Sequence, residues 1–534
     1  MPVAEAVNEL TVGFRNYSRN VHIDWEYSAT LLVILIDANR TKGAPEADFG
    51  ASGLTSPRNR RRKRHFLRGS QVKLARTANI RQIRNSGEPR AASVPAYALV
   101  HRVRTIACTA AIAAALLLTL ASQARAAAAV SVLHTFSGGN DGSYPDSNLT
   151  VDSAGNFYGT TQIGGAFGSG TVFEISPKPD GKWRFSVLYT FTGGADGGNP
   201  LGSLVFDAAG NAYTTASSGG ANGFGVVFEL SPPVHPAPGK EWAEKVLYSF
   251  RGGSDGALPF GNLVFDAAGN LYGTTSIGGK SHIGCLAGCG TIYELSLTKS
   301  GSWNETVLHR LTDAFGDGAE PRAGLVMDAS GNLFGTTYEG GNNDVCNGYG
   351  CGSVFELTPP ASGKKRWHFK TLIDFNGIEG ALSGGGVILD GSGNVFGTTL
   401  FGGANNAGVV FSLSRESGRW KFKTLYSFDG LDGLQPSGNL AFDNAGNLYG
   451  ATYEGGANDW GGIFQLVPGG SGWTENLLYS FLVSGKRFGA SPLGGAILDA
   501  TGDLYLTTNQ GGNLNDCQPN AGCGTVIKLS SETP

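Results

Sequence analysis

From residue 131 to residue 530, short runs of β-branched and aromatic residues are separated by clusters of Gly, Asn and Asp. This is the pattern of strands joined by tight turns rather than of helices. One apolar phrase, Val-Leu-Tyr-Ser-Phe with substitutions, marks the period: it occupies 132–136, 187–191, 246–250, 307–311, 371–375, 424–428 and 477–481. The copies recur every 53 to 64 residues, so seven equivalent units are present whose loops absorb the length differences.

Each unit contains four strand-like segments. After the phrase comes an apolar run such as 262–266, then an Asp-x-x-Gly-Asn turn and a second strand such as 271–275. A Gly-Gly loop leads to a third strand such as 225–230, and a polar link leads to the next copy of the phrase. Four strands per unit predict a four-stranded antiparallel sheet, and seven such sheets set radially make an all-β, seven-bladed β-propeller. Trp183, Trp242, Trp303, Trp367, Trp420 and Trp473 each precede a phrase strand, but the first copy has no tryptophan before it. If the turn joins the two inner strands, the phrase strand is outermost and the first copy has no blade of its own. Residues 131–136 should then complete the seventh blade beside 525–529, closing the ring and covering an open edge. The tryptophans read as blade packing, with a ligand platform as the other use of such rings.

Composition agrees with this fold and adds a boundary. Eighty-three glycines, 16% charged residues and 10% aromatics suit many short strands and turns. The net charge of -3 conceals 19 Lys/Arg against 8 Asp/Glu in residues 1–126, which leaves 21 against 35 beyond them. So acidic a body should repel nucleic acid. The sequence His101-Arg102-Val103-Arg104, the apolar run 105–121 and Ala124-Arg125-Ala126 read as a signal peptide over 100–126, cleaved after Ala126, with no membrane span left afterwards. A retained anchor is the alternative. Residues 1–99 show little periodicity, and a translation start at Val100 would leave them untranslated; their basic run 58–64 otherwise suggests nucleic-acid contact. The working region is then 127–534.

Cys108 falls in the removed segment, and the other six cysteines form close pairs: Cys285/Cys289, Cys346/Cys351 and Cys517/Cys523. Each pair stands just before a third strand, with unequal spacing and, in two of the three, no neighbouring histidine. Local disulfides stapling long loops fit better than a metal site, and they imply an exported protein, extracellular or periplasmic.

Candidate chemistry is sparse. The turns at 152–156, 207–211, 266–270, 328–332, 390–394, 443–447 and 499–503 offer two side-chain oxygens each, too few for Ca²⁺ unaided but suited to a hairpin. His134 and His309 sit in phrase strands, which suits a core or blade-surface role, His235, His282 and His368 lie in linkers or loops with no Ser, Cys or carboxylate set around them, no catalytic residue or metal site stands out, and the Gly-Gly pairs belong to turns. Loops entering the first strand and loops between the second and third strands should share one face. Asp141, Asp196, Asp255, Asp317 and Asp432 recur there, with Glu379 in the fifth unit, either as turn caps or as ligand groups. Tyr338-Glu339 and Tyr453-Glu454 break the repeat where other units have Gln162-Ile163 or Leu400-Phe401, which makes them the sharper ligand-binding candidates.

Taken together, the phrases Val-Leu-Tyr-Ser-Phe, Gly-Gly-x-Asp-Gly, Asp-x-x-Gly-Asn-Leu-Tyr-Gly-Thr-Thr and Gly-x-Val-Phe-Glu-Leu resemble those of the bacterial choice-of-anchor tandem repeat GloVer-containing proteins, over about 131–530. The hairpin segment is also similar to NHL-type propeller repeats, which implies the same four-stranded blade. The resemblance implies an exported repeat protein, often with a C-terminal anchor, and brings no catalytic residues. Here residues 530–534 follow the last strand directly, so a soluble exported protein is expected. The function expected is a binding or scaffold module presenting the acidic, tyrosine-bearing face to a polysaccharide, a peptide, a cell-surface protein or a cation such as Ca²⁺, with no other cofactor. A lactonase-like or lyase-like metal-assisted propeller enzyme and a purely structural surface repeat protein are the alternatives.

Overall fold

A computed structural model describes residues 129–530 except 234–240, 283, 314–315, 342–345, 483–488, 514–516 and 518–520. Residues 100–126, read above as a signal peptide, and residues 1–99 lie outside the described residues. Seven antiparallel sheets stand in a ring, and the one helical turn among the described residues is the 3-10 segment Cys346–Gly348.

Blade 3 shows the plan. Ala257–Phe265, Leu271–Ile277, Thr291–Leu297 and Trp303–Arg310 pair in sequence order, with the Asp266 turn between the first two. Blades 1, 2 and 4 to 6 repeat it, their outermost strands being Trp183–Thr190, Ala243–Ser249, His368–Asp374, Arg419–Ser427 and Gly472–Ser480. Blade 7 is built from Ile497–Leu498, Leu504–Thr508, Thr525–Ser530 and, as its fourth strand, Ala129–Thr135. The register runs Ala129↔Ser530 to Thr135↔Thr525, so the first phrase closes the ring as its missing tryptophan implied. In every blade the register between third and fourth strands slips at the leucine of the phrase, as between Val246 and Tyr248 in blade 2. This bulge adds twist at the outer edge and re-aims the residues that follow it.

First strands lie innermost and touch across blades. Asn262 Oδ1 of blade 3 accepts from the Ser203 backbone N–H of blade 2 at 2.8 Å, and Asn439 Oδ1 of blade 6 from Gly386 N–H of blade 5 at 3.0 Å. Asn148 of blade 1 accepts from Gly495 of blade 7 and also, at 3.5 Å, from Asn439 two blades away. Space at these contacts is tight: a Cβ on Gly261, whose φ is +77°, would come within 2.2 Å of the Gly324 nitrogen. Just outside this circle, threonines of the second strands donate to the next blade, Thr274 to Ala323 O at 3.0 Å and Thr336 to Gly385 O at 3.0 Å.

The core sits between blades rather than within them. One cluster joins Phe136, Tyr505 and Val526 of blade 7 to Leu149, Phe157 and Phe173 of blade 1. The tryptophans are part of this packing: Trp183 lies 6.0 Å from Tyr505, Trp367 5.8 Å from Tyr272 and Trp420 6.0 Å from Phe334, each pair spanning two blades.

Candidate functional site

The two sets of loops expected to share a face do so. Gly165 N–H donates to Gly139 O at 2.7 Å, and Gly220, Gly279, Gly403 and Gly456 repeat the bond from the loop between second and third strands to the entering loop of the same blade. At this face every blade also carries a residue with left-handed backbone: Tyr144, Asn199, Leu258, Glu320, Leu382, Gln435 and Ser491 have φ between 50° and 57°. None is glycine, although each costs about 1–2 kcal/mol in that conformation. The cost is offset by a bond that crosses to the preceding blade. Asn199 N–H donates to Ser169 O at 2.8 Å, Leu258 to Phe224 O at 3.0 Å, Gln435 to Ala407 O at 3.0 Å and Ser491 to Trp460 O at 3.0 Å. For Tyr144, Glu320 and Leu382 the acceptors are the carbonyls of Cys523, Cys289 and Cys351.

Those three residues are the second halves of the disulfides Cys517–Cys523, Cys285–Cys289 and Cys346–Cys351. The bridges therefore staple the loops and also fix the carbonyl that latches one blade to the next.

The recurring aspartates of the entering loops have a common arrangement. Tyr189 and Tyr248 donate their hydroxyls to Asp196 at 3.0 Å and Asp255 at 2.9 Å, and Tyr426 donates to Asp432. His134 Nε2 lies 3.1 Å from Asp141 and His309 Nε2 2.7 Å from Asp317. Backbone N–H groups of the same loops also donate to these carboxylates, Thr192 to Asp196 at 2.8 Å and Arg251 to Asp255 at 3.0 Å. Each carboxylate thus ties the end of an outermost strand to the loop that follows it. Glu379 accepts from Asn376 Nδ2 at 2.9 Å in the fifth entering loop. Burial pushes the Asp141 carboxyl up, but its bonds from His134 and Ser137 outweigh that and hold it below the usual range.

Blade 4 departs from the other six. Its left-handed residue is Glu320, and two positions on stands Arg322, where the other blades place Asp146, Leu201, Phe260, Gly384, Ser437 or Leu493. Arg322 donates to Glu320 at 2.7 Å and lies over the Tyr338 ring, 3.9 Å from its centroid. Glu339 adjoins them, its backbone bridged to Ala319. Burial pushes the Glu339 carboxyl up to about 8; Glu320 and Asp313 add to the shift, and Arg322 only partly opposes it. Asp313 is buried, with His282 Nδ1 3.4 Å away. Tyr453 and Glu454 occupy the corresponding places in blade 6, half-buried, with Gln435 and Ser437 where blade 4 has Glu320 and Arg322. The two Tyr-Glu pairs stand on different blades, and Arg322 stands beside that of blade 4.

A rim of exposed apolar side chains surrounds this face. Phe167, Phe224, Leu286, Tyr349, Ile378, Leu431 and Leu482 stand on its loops, one for each blade, and among the described residues only Val151 and Leu297 are comparably exposed elsewhere. Among the described residues no group of three or more His, Cys, Asp or Glu side chains is placed to hold a metal ion. Sequence reasoning passed over Glu320, Arg322 and the left-handed ring, although the Gly-x-x-Pro spacing of six blades holds the signal, since the residue before each proline is the left-handed one.

The Gloeobacter/Verrucomicrobia repeat matches residues 119–345, 284–441 and 346–533. The chain belongs to that repeat family. None of the curated proteins compared matches this repeat protein. Among solved structures, it is similar to a putative gluconolactonase at 14% identity and TM-score 0.35, covering 66% of this chain and 95% of that one. A putative 6-phosphogluconolactonase from Bacteroides uniformis is similar at 14% identity and TM-score 0.39, over 62% and 83%. The extracellular domain of a putative hybrid two component system from B. thetaiotaomicron is similar at 10% identity and TM-score 0.42, over 75% and 40%. The activities in those names are statements about those proteins.

Proposed function

We propose that this repeat protein is an exported binding module that takes carbohydrate at the blade-4 cluster of its loop face. The supporting observation is the contrast between backbone and side chains: seven blades share one left-handed latch, and on blade 4 an arginine lies over a tyrosine ring and donates to a glutamate beside it. An aromatic ring packs on the apolar face of a sugar, and charged groups beside it accept or donate to its hydroxyls. Three disulfides favour an oxidising compartment, in keeping with the signal peptide read at 100–126.

The test is thermal unfolding with a panel of oligosaccharides, repeated with calcium and with chelator, for the wild type and for Tyr338→Ala and Arg322→Ala. A ligand at a hundred times its dissociation constant stabilises by about 2.7 kcal/mol, a rise of a few degrees that both variants should abolish. A rise with calcium alone would transfer the face to a cation, and no rise with any sugar would remove the carbohydrate reading. A propeller hydrolase is the second reading, favoured by Glu339, whose carboxyl is pushed up by burial and would serve as an acid. In that case Glu339→Gln abolishes turnover of a lactone or glycoside while binding persists.

A further inference from the structure

The residue two places after each tryptophan of an outermost strand packs toward the preceding blade. In blades 1, 4 and 5 it is Phe185, Phe369 or Phe422, in register with Ile175, Leu357 or Leu413 of the third strand. His134 stacks on Phe185 at 3.7 Å, His309 on Phe369 at 4.1 Å, and Phe375 meets Phe422 edge-on at 6.2 Å, each contact crossing a blade junction. Blades 2, 3 and 6 place Glu244, Glu305 and Glu475 at this same register, opposite Leu230, Leu295 and Leu466. A carboxyl therefore stands where the other blades put a ring, and one oxygen of each is buried with no hydrogen-bond partner.

The preceding blade matches the exchange. Phenylalanine follows a blade whose phrase carries His134, His309 or Ile373, and glutamate follows one that carries Tyr189, Tyr248 or Tyr426. Those three tyrosines are the ones that donate to Asp196, Asp255 and Asp432. Junctions 1/2, 2/3 and 5/6 each hold a tyrosine, an aspartate and a half-buried glutamate, whereas at junction 6/7 Tyr479 is followed by Val130.

We propose that these three junctions are a proton-operated clamp: the outer edge of the ring is held closed while each glutamate carries its proton, and loosens when the glutamate ionises beside the aspartate. Burial is the main force pushing all three glutamates up to about 7, and the aspartates add to it. Glu244 is faced by Tyr189 and Asp196, with Glu241 near the same tyrosine. Glu305 is faced by Asp255, Tyr248 and Tyr293, with Arg310 and Arg251 in partial opposition. Glu475 is faced by Asp432, Asp429 and Tyr426. With each carboxyl raised in the folded ring above its ordinary value of 4.5, the folded state binds more protons than the unfolded chain. The stability so gained is complete below that ordinary value and is lost as pH rises through about 7. The clamp acts on the rigidity of the ring and does not depend on what the loop face binds.

The experiment compares the full chain with its E244Q/E305Q/E475Q variant, in which glutamine imitates the protonated acid. The wild-type melting temperature should fall by several degrees between about pH 5 and about pH 8, and the variant should show a flatter profile and melt higher at the alkaline end. Amide exchange locates the effect: protection in 243–249, 303–310 and 472–480 should drop above neutrality in the wild type, while 183–190 and 368–374 hold. A variant that keeps the wild-type pH slope, or an equal loss of protection at the phenylalanine junctions, would overturn the clamp. Should the triple variant not fold, E305Q alone tests junction 2/3 by exchange, with blade 1 as the internal reference.

Discussion

The two ends of each blade solve the same problem in opposite ways. At the turn end, Asp266 Oδ1 accepts from Ala268 N–H and Asn270 N–H, both at 2.9 Å, and Oδ2 accepts from Asn270 Nδ2 at 2.8 Å and the Tyr272 hydroxyl at 3.0 Å. The same side chains recur at Asp152, Asp207 and Asp443, and the other three turns keep the aspartate with substitutions in its partners. Nothing in that carboxylate is left to offer a ligand. At the loop end the backbone is held just as strictly, by the left-handed latch, but the side chains it carries are Tyr, Asn, Leu, Glu, Leu, Gln and Ser in turn. Where side chains make the turn, their identity is fixed; where main-chain bonds make it, the side chains are released for chemistry.

The largest expected effect that would break this contrast is at the turn end. Asp266→Ala removes an acceptor from four donors and should cost about 3 kcal/mol in denaturant unfolding, since a bond to a charged group contributes about 1.5–3 kcal/mol. The equivalent change at Asp152 should cost about the same. Burial pushes Asp152, Asp207, Asp266, Asp443 and Asp499 up, but their hydrogen bonds outweigh it and leave them below the ordinary 3.8. Their contribution is therefore present above that value and is lost as pH falls through the depressed range, and Asp266→Asn should make acid unfolding shallower.

Smaller effects belong to the loop end. Replacing both Cys346 and Cys351 with serine frees the carbonyl that latches blade 5 and should cost about 2 kcal/mol, as expected for a short closed loop. A calorimetric scan under reducing and non-reducing conditions checks it, and a loss on reduction larger in the wild type than in the variant, which keeps the other two bridges, would assign the difference to this bridge. Glu320→Gly should have the opposite sign. It relieves the left-handed strain and should raise stability by about 0.5–1 kcal/mol while removing the Arg322 partner, so a more stable protein that binds less would separate latch from ligand group.

Much of this fold was legible along the chain because its physics is local. The phrase strands, the Asp-x-x-Gly-Asn hairpins and the missing first tryptophan each lie within one unit, and together they required residues 131–136 to close blade 7, where the strand runs Ala129–Thr135. The candidate site was less so. Tyr338 and Glu339 stand out because they break the repeat, but Arg322 joins them only through the pairing of first and second strands, across a turn whose residues give no hint of it. The five recurring aspartates read first as turn caps and second as ligand groups, and the structure gives them partners on the preceding phrase strand.

Sequence alone determined the seven blades, their strand order, the closing strand and the three cysteine pairs, since each follows from periodicity and turn chemistry between residues near one another in the chain. Tertiary structure decided which side chains meet across the junctions. Tyr189 with Glu244, His309 with Phe369 and Glu320 with the Cys289 carbonyl come from neighbouring blades, and only the closed ring brings them together.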